Sequence, residues 1–241
     1  MWYALPMGPW PGLLTLLHLS STACADDVAL PSETPAARMV RTQVASREVD
    51  DPRVLQAMRE VSRDRFMPLQ VRHLAWEDGP VPIGHGQTIS QPYIVGLMLA
   101  LLETEPGDRV LEVGTGLGYQ AAVLSRLVGE VWTMEILEPL CEEARATLAR
   151  EGFGSVHVVC GDGWAGLPEH APFDGIVVAA APDHVPPALR AQLAVGARLV
   201  LPVGPVGGPQ ELRVIRRTAS GFEERTVLSV AFVPMTGGGG R

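Results

Sequence analysis

The stretch Val110-Leu111-Glu112-Val113-Gly114-Thr115-Gly116-Leu117-Gly118-Tyr119-Gln120 constrains this chain more than any other. An apolar, β-favouring run ends in glycines at alternate positions, and a helical pattern follows at once. That order specifies a strand, a tight turn and a helix N-terminus. Glycine tolerates positive φ and carries no Cβ, so the turn can be sharp and a ligand can approach its backbone. The same letters also fit an ordinary glycine-rich βα turn, and the rest of the chain has to separate the two readings.

After the glycines, helix and strand patterns alternate. Helices are predicted over 121–127, 139–151 and 185–193, and strands over 131–134, 156–159, 173–178 and 198–203. A βα alternation implies a parallel sheet covered by helices on both faces, a doubly wound, Rossmann-like α/β fold. Two further strand-like runs, 211–216 and 225–232, are joined through Ala219-Ser220-Gly221 and predict a C-terminal hairpin on the sheet edge. Ahead of the sheet the pattern is helical over 37–49. A second helix follows with Asp51 as N-cap, Pro52 in its first turn, and Val54, Leu55, Met58 and Val61 on one face. Gly and Pro recur so often in 76–92 that an irregular loop is expected there, and a long loop in a compact domain is usually functional. The helix after it, 93–103, is apolar almost all round and should be buried.

Composition removes several classes of function. At 241 residues and 46% hydrophobic, the chain makes one ordinary domain. A net charge of −8 argues against nucleic acid as a partner. All 19 basic residues are Arg, which excludes a Schiff-base lysine and a P-loop lysine. Cys24, Cys141 and Cys160 are too few and too scattered to predict a disulfide framework or a zinc site. The six histidines are isolated and no metal site is expected. Residues 1–38 read as a leader and 39–241 as the working domain. The run Leu13–Leu19, followed by Ala23-Cys24-Ala25, has the length and small-residue spacing of a signal peptide, but no basic residue precedes it. No stable membrane insertion is expected, since the run is too short to span a bilayer.

The ligand on the glycine turn can be narrowed. Dinucleotide sites space their glycines GxGxxG, whereas here Gly114, Gly116 and Gly118 alternate. Glu112 precedes the first glycine by two residues, and a carboxylate there favours a cationic ligand over a pyrophosphate. S-adenosyl-L-methionine, with its sulfonium and ammonium, fits that sign. Glu135 ends the next strand, where an acid can accept from ribose hydroxyls, and Asp162 lies after the third strand in Gly161-Asp162-Gly163, placed for an adenine amino group. Glu112, Gly114, Thr115, Gly116, Gly118, Glu135, Asp162 and Gly163 are therefore the expected cofactor set.

Three segments together resemble one family. They are Glu112–Gln120, the loop Pro82-Ile83-Gly84-His85-Gly86-Gln87-Thr88-Ile89-Ser90-Gln91-Pro92, and Phe173-Asp174 through Ala179-Ala180-Ala181-Pro182. The glycine turn alone would indicate a class I methyltransferase, while the loop is far more specific. The chain from about 39 to 236 is similar to the protein-L-isoaspartate (D-aspartate) O-methyltransferases, departing with Trp76 and Val81 where that family often has Tyr and Leu. The resemblance implies methyl transfer from S-adenosyl-L-methionine to the free carboxylate of an L-isoaspartyl or D-aspartyl residue in damaged proteins or peptides. It points to Ser90 as the catalytic group that holds the acceptor, although Ser90 is equally placed to N-cap the following helix. Ile83, Gly84, Gln87, Thr88 and Ile89 form the acceptor loop, and Thr236 falls near the cofactor. A monomer is expected. Cofactor supply places the enzyme in the cytoplasm, with export to the periplasm the alternative if 1–25 is a signal peptide. Two other readings stay open: a class I methyltransferase with another acceptor, and a non-catalytic S-adenosylmethionine-binding envelope protein.

Overall fold

The computed structural model describes residues 33–238. The expected leader falls largely outside those residues, Cys24 with it. The first helix, α1 (Pro35–Met39), starts ahead of the boundary expected at residue 39, with the Thr34 hydroxyl accepting from the Ala37 N–H at 3.1 Å. It runs on into a π-helical turn, Val40–Val44, whose Val40 and Val44 are buried. Asp51 caps α2 (Pro52–Glu60) as its sequence position predicts, accepting from the Arg53 N–H at 2.8 Å. The apolar helix α3 (Pro92–Leu102) is buried, and ends where Glu103 turns left-handed at φ 51. It packs so closely on the N-terminal helices that a Cβ at Gly96 would lie 2.7 Å from Val44 Cγ1.

Between α2 and α3 the chain is not the irregular loop that its composition predicts. Val81–Gly84 (β1) and Gln87–Ile89 (β2) pair antiparallel, with Val81 opposite Ile89 and Pro82 opposite Thr88. Val81, Ile83 and Ile89 are buried, and this apolar alternation outweighs the Gly and Pro around it. Proline is tolerated because β1 is an edge strand. The turn Gly84-His85-Gly86 has φ of 94, 53 and 72°, which explains the two glycines.

The main sheet contains β3 (Arg109–Val113), β4 (Glu130–Glu135), β5 (His157–Cys160), β6 (Phe173–Val178), β7 (Leu193–Val203), β8 (Gln210–Thr218) and β9 (Gly221–Val230). Their spatial order is β5-β4-β3-β6-β7-β8-β9. The first five are parallel; β8 and β9 are antiparallel, the edge hairpin read from the C-terminal pattern. Helices α4 (Tyr119–Leu124), α5 (Glu138–Arg150) and α6 (Pro187–Ala191) make the crossovers. Alternate residues of the central strands enter two separate cores. Ile176, Val178, Leu199 and Leu201 pack into one, and Val177 and Val200 into the other. Each such side chain contributes about 1.5–3 kcal/mol on burial.

One expectation needs correcting. Cys141 on α5 and Cys160 at the end of β5 form a disulfide, with their Cα atoms 5.6 Å apart. They stand nineteen positions apart in sequence, but α5 returns the chain along the sheet and β5 brings Cys160 up beside it. A single pair of this kind has no spacing signature.

Candidate functional site

The strand order reverses at β3, which has β4 on one side and β6 on the other. In an open parallel sheet the crevice beyond the C-terminal end of such a strand is the ligand position. The glycine turn fills that position. Gly114, Gly116 and Gly118 have φ of 96, 54 and 90°, so all three need glycine on conformational grounds. The turn is fastened to β4, because the N–H groups of Gly114 and Thr115 both donate to the Met134 carbonyl, at 2.8 and 3.1 Å. A Cβ on Gly118 would fall 2.9 Å from Leu148 Cγ, and one on Gly114 would touch Ala179 Cβ at 3.4 Å. Gly116 differs: its missing Cβ would face Ile83 Cδ1 at 3.5 Å, across the cleft.

That cleft is a concave site lined by both apolar and polar groups, as small-molecule sites are. The turn contributes Gly114, Thr115 and Gly116 to its lining; β4 and the segment after β5 contribute Glu135 and Gly163. The acceptor loop contributes Ile83, Gln87, Thr88, Ile89 and Ser90. The two halves predicted from separate segments therefore meet in one cavity. Gly84, Glu112, Gly118 and Asp162 do not line it.

The three acids differ sharply in situation. Glu135, 6% exposed, accepts from the Gly116 N–H at 2.8 Å through Oε2 and from the Leu137 N–H at 3.0 Å through Oε1. Each oxygen retains a lone pair for a further donor. Glu112 is fully buried under the turn, where its Oε2 accepts from the Thr133 hydroxyl at 2.6 Å. Burial pushes its pKa up to about 8, against the pull of that hydrogen bond and with the help of the Glu135 charge. At neutral pH it is mainly a carboxylic acid, so it does not supply the negative charge that its sequence position suggests. Asp162 spans its own turn, accepting from the Trp164 N–H at 2.9 Å and the Gly238 N–H at 2.7 Å. Gly163 is glycine for packing: a Cβ would fall 2.2 Å from Val113 Cγ1.

Ser90 does not cap α3. The N-cap residue is Gln91, which makes no capping bond, and Ser90 lies one position earlier, on the cleft. Several lining residues were not assigned from sequence. Gln120 has a buried Nε2 without a partner, a donor available to a ligand. Ile136 is 39% exposed directly after β4, an apolar residue in a position that suits a flat ring. The C-terminal segment crosses the cleft, since Met235 N–H donates to the Ala181 carbonyl and Ala181 N–H to the Val233 carbonyl, both at 2.8 Å. This segment places Thr236 in the lining. Glu135 and Tyr119 are the ionisable side chains among the lining residues, and burial pushes the Tyr119 phenol up to about 12. Among the described residues the cleft therefore offers donors, shape and one carboxylate, Glu135, whose oxygens already accept from backbone N–H groups.

The family model described as protein-L-isoaspartate(D-aspartate) O-methyltransferase matches residues 35–240. A protein-L-isoaspartate O-methyltransferase of Opitutus terrae is 48% identical over 225 residues, covering 93% of this chain and 96% of its own. One from Marinobacter nauticus is 53% identical over 200 residues, covering 83% and 91%. A solved protein-L-isoaspartate O-methyltransferase superimposes with a TM-score of 0.75 at 30% identity, over 83% of this chain and 65% of that one. A second structure, from Plasmodium falciparum and in complex with S-adenosyl-L-homocysteine, shares the fold with a TM-score of 0.73 at 22% identity, over 85% and 99%.

Proposed function

This chain belongs to the protein-L-isoaspartate(D-aspartate) O-methyltransferase family, and from that premise we propose how its cleft carries out the reaction. The enzyme transfers a methyl group from S-adenosyl-L-methionine to the free carboxylate of isoaspartyl residues in damaged proteins. The bound cofactor supplies an electrophilic methyl on a positively charged sulfur. The glycine turn, Glu135 and Gly163 hold the cofactor, and the unpaired Nε2 of Gln120 adds a donor to that wall. Ser90 and Thr88 hold the acceptor carboxylate opposite. A carboxyl with a reference pKa near 4 is already ionised at neutral pH, so no base has to remove a proton. What the residues supply is alignment of two reactants, a large factor in rate.

The observation that carries this reading is the meeting of the glycine turn with the Thr88 and Ser90 hydroxyls in one cleft. The test is transfer of radiolabelled methyl to an isoaspartyl peptide and to its normal aspartyl counterpart. Label on the first alone supports the reading; equal label on both, or transfer only to other acceptors, overturns it.

The donor is made in the cytoplasm, while a disulfide is more at home in an oxidising compartment. Among the described residues no helix is long and apolar enough to cross a membrane. We place the enzyme in the cytoplasm; N-terminal sequencing that finds the mature chain beginning at Asp26 would instead assign it to export.

A further inference from the structure

The disulfide occupies a position that the reaction does not explain. Leu137, two residues past β4 and the N-cap of α5, lines the cleft, and its carbonyl accepts from the Cys141 N–H at 2.9 Å. Cys160 is the last residue of β5, and the next residue, Gly161, lines the cleft and donates to the Glu135 carbonyl at 2.9 Å. The bond thus joins the two segments, 135–137 and 161–163, that together make one wall of the cofactor site. That wall stands at the free edge of the sheet. β5 has four residues, pairs only with β4, and is exposed or half-buried along its length. A short edge strand is where local opening costs least, so a covalent tie here bears directly on the site.

The chemistry of the pair suits exchange. Cys141 is fully buried, whereas Cys160 is exposed and open to an external thiol. The Arg145 guanidinium lies 3.9 Å from Cys141 Sγ and 3.6 Å from Cys160 Sγ, and also donates to the Val158 carbonyl at 3.0 Å. Glu142, ion-paired with Arg145, lies 3.7 Å from Cys160 Sγ, so the pull of the guanidinium falls on the Cys141 thiolate that leaves when the bond is cut.

We propose that Cys141–Cys160 is a redox-operated clasp on the cofactor wall: closed, it holds 135–137 against 161–163 and the cofactor binds tightly; open, it frees the edge and affinity falls. The inference rests on the reading of this cleft as the S-adenosylmethionine site. Opening consumes two equivalents of a small thiol. The first thiolate attacks Cys160 Sγ, the S–S bond breaks, and the electron pair leaves on Cys141, which takes up a proton. The second thiol attacks the mixed disulfide, releasing the Cys160 thiol and one molecule of small-molecule disulfide. Closing is the reverse, with a disulfide such as oxidised glutathione as oxidant.

The test uses the full chain in a Cys24→Ser background, so that only this pair exchanges. Calorimetry of S-adenosylhomocysteine binding to the oxidised and reduced forms should show Kd rising about tenfold on reduction, with far-UV circular dichroism unchanged. Linkage demands a reciprocal effect. Saturating S-adenosylhomocysteine should shift the equilibrium with reduced and oxidised glutathione, read by alkylation and mass spectrometry, by the same factor toward the disulfide. Cys141→Ala with Cys160→Ser should reproduce the reduced affinity; if that variant fails to fold, the reduced parent carries the comparison alone. Equal Kd in the two forms, or a glutathione equilibrium indifferent to ligand, overturns the clasp while leaving the cofactor site in place. Two free thiols after treatment with oxidised glutathione also overturn it. Failure of the oxidised form to bind at all overturns both readings.

Discussion

The wall of the cleft made by β3, β4 and the glycine turn is built from backbone, while the wall made by β1, β2 and Ser90 is built from side chains. On the first, three glycines at positive φ, two N–H bonds to Met134 and the Glu135 carboxylate fix a shape that few other residues could adopt. On the second, hydroxyls and apolar side chains project from a small hairpin whose turn, Gly84-His85-Gly86, is exposed. On the roles proposed above, the difference follows from what each wall meets. The cofactor is the same at every turnover, so its site can be rigid and specific. The acceptor is one carboxylate on many different polypeptides, so its site recognises a small group and leaves the surroundings open. Damage to the first wall should therefore remove binding, and damage to the second should slow chemistry.

Gly116→Val is the strongest way to test this division. It places a β-branched residue at φ 54° and directs its side chain across the cleft toward Ile83. Strain of about 1–3 kcal/mol adds to the steric block, and S-adenosylhomocysteine affinity should fall by about a hundredfold or more. Near-normal affinity by calorimetry would show that the turn does not carry the cofactor. Glu135→Ala comes next. It deletes the acceptor of the Gly116 and Leu137 N–H groups along with any bond to ligand, and should weaken cofactor binding by about 1–3 kcal/mol. An unchanged dissociation constant would remove Glu135 from the site.

Ser90→Ala addresses the other wall. Loss of one hydrogen bond to an ionised acceptor should lower the rate at saturating cofactor by about tenfold, roughly 1.4 kcal/mol, with cofactor affinity intact. A parallel loss of cofactor binding would collapse the distinction between the walls.

The parts of this architecture that local physics determines were legible in the sequence. β6 occupies 173–178 as read, because the β-branched run Ile176-Val177-Val178 behind Phe173 in a central strand admits little else. Asp51-Pro52 starts its helix for reasons confined to one turn. Properties that depend on what lies across the fold were not legible. The hairpin 81–89 was hidden by Gly and Pro, and revealed only by where Val81, Ile83 and Ile89 are buried. Cys141 and Cys160 become neighbours only after α5 and β5 pack. Glu112 is the instructive case, because a signal was present. It stands between Leu111 and Val113 on a central parallel strand, and such strands are covered on both faces. Any side chain there is buried, whichever way it points.

That burial gives the smallest of the expected effects, and one whose sign is fixed. In the unfolded chain Glu112 titrates near its reference value of 4.5, and in the fold near 8. Below the lower value both states hold the proton and folding is indifferent to it. Between the two the unfolded chain has released a proton that the native state keeps, so stability is lost as pH rises toward 8. Relaxation and water entry reduce the loss to on the order of 1 kcal/mol. Glu112→Gln retains an acceptor for the Thr133 hydroxyl, and through it the Thr115–Thr133 contact of 2.6 Å that supports the glycine turn, without the titration. Urea midpoints taken from pH 5 to 8 should therefore fall more steeply for the parent than for the variant, with cofactor affinity at pH 6 nearly equal in the two. Parallel curves would mean that the native state holds Glu112 ionised, and would return its charge to the backbone-built wall of the cleft.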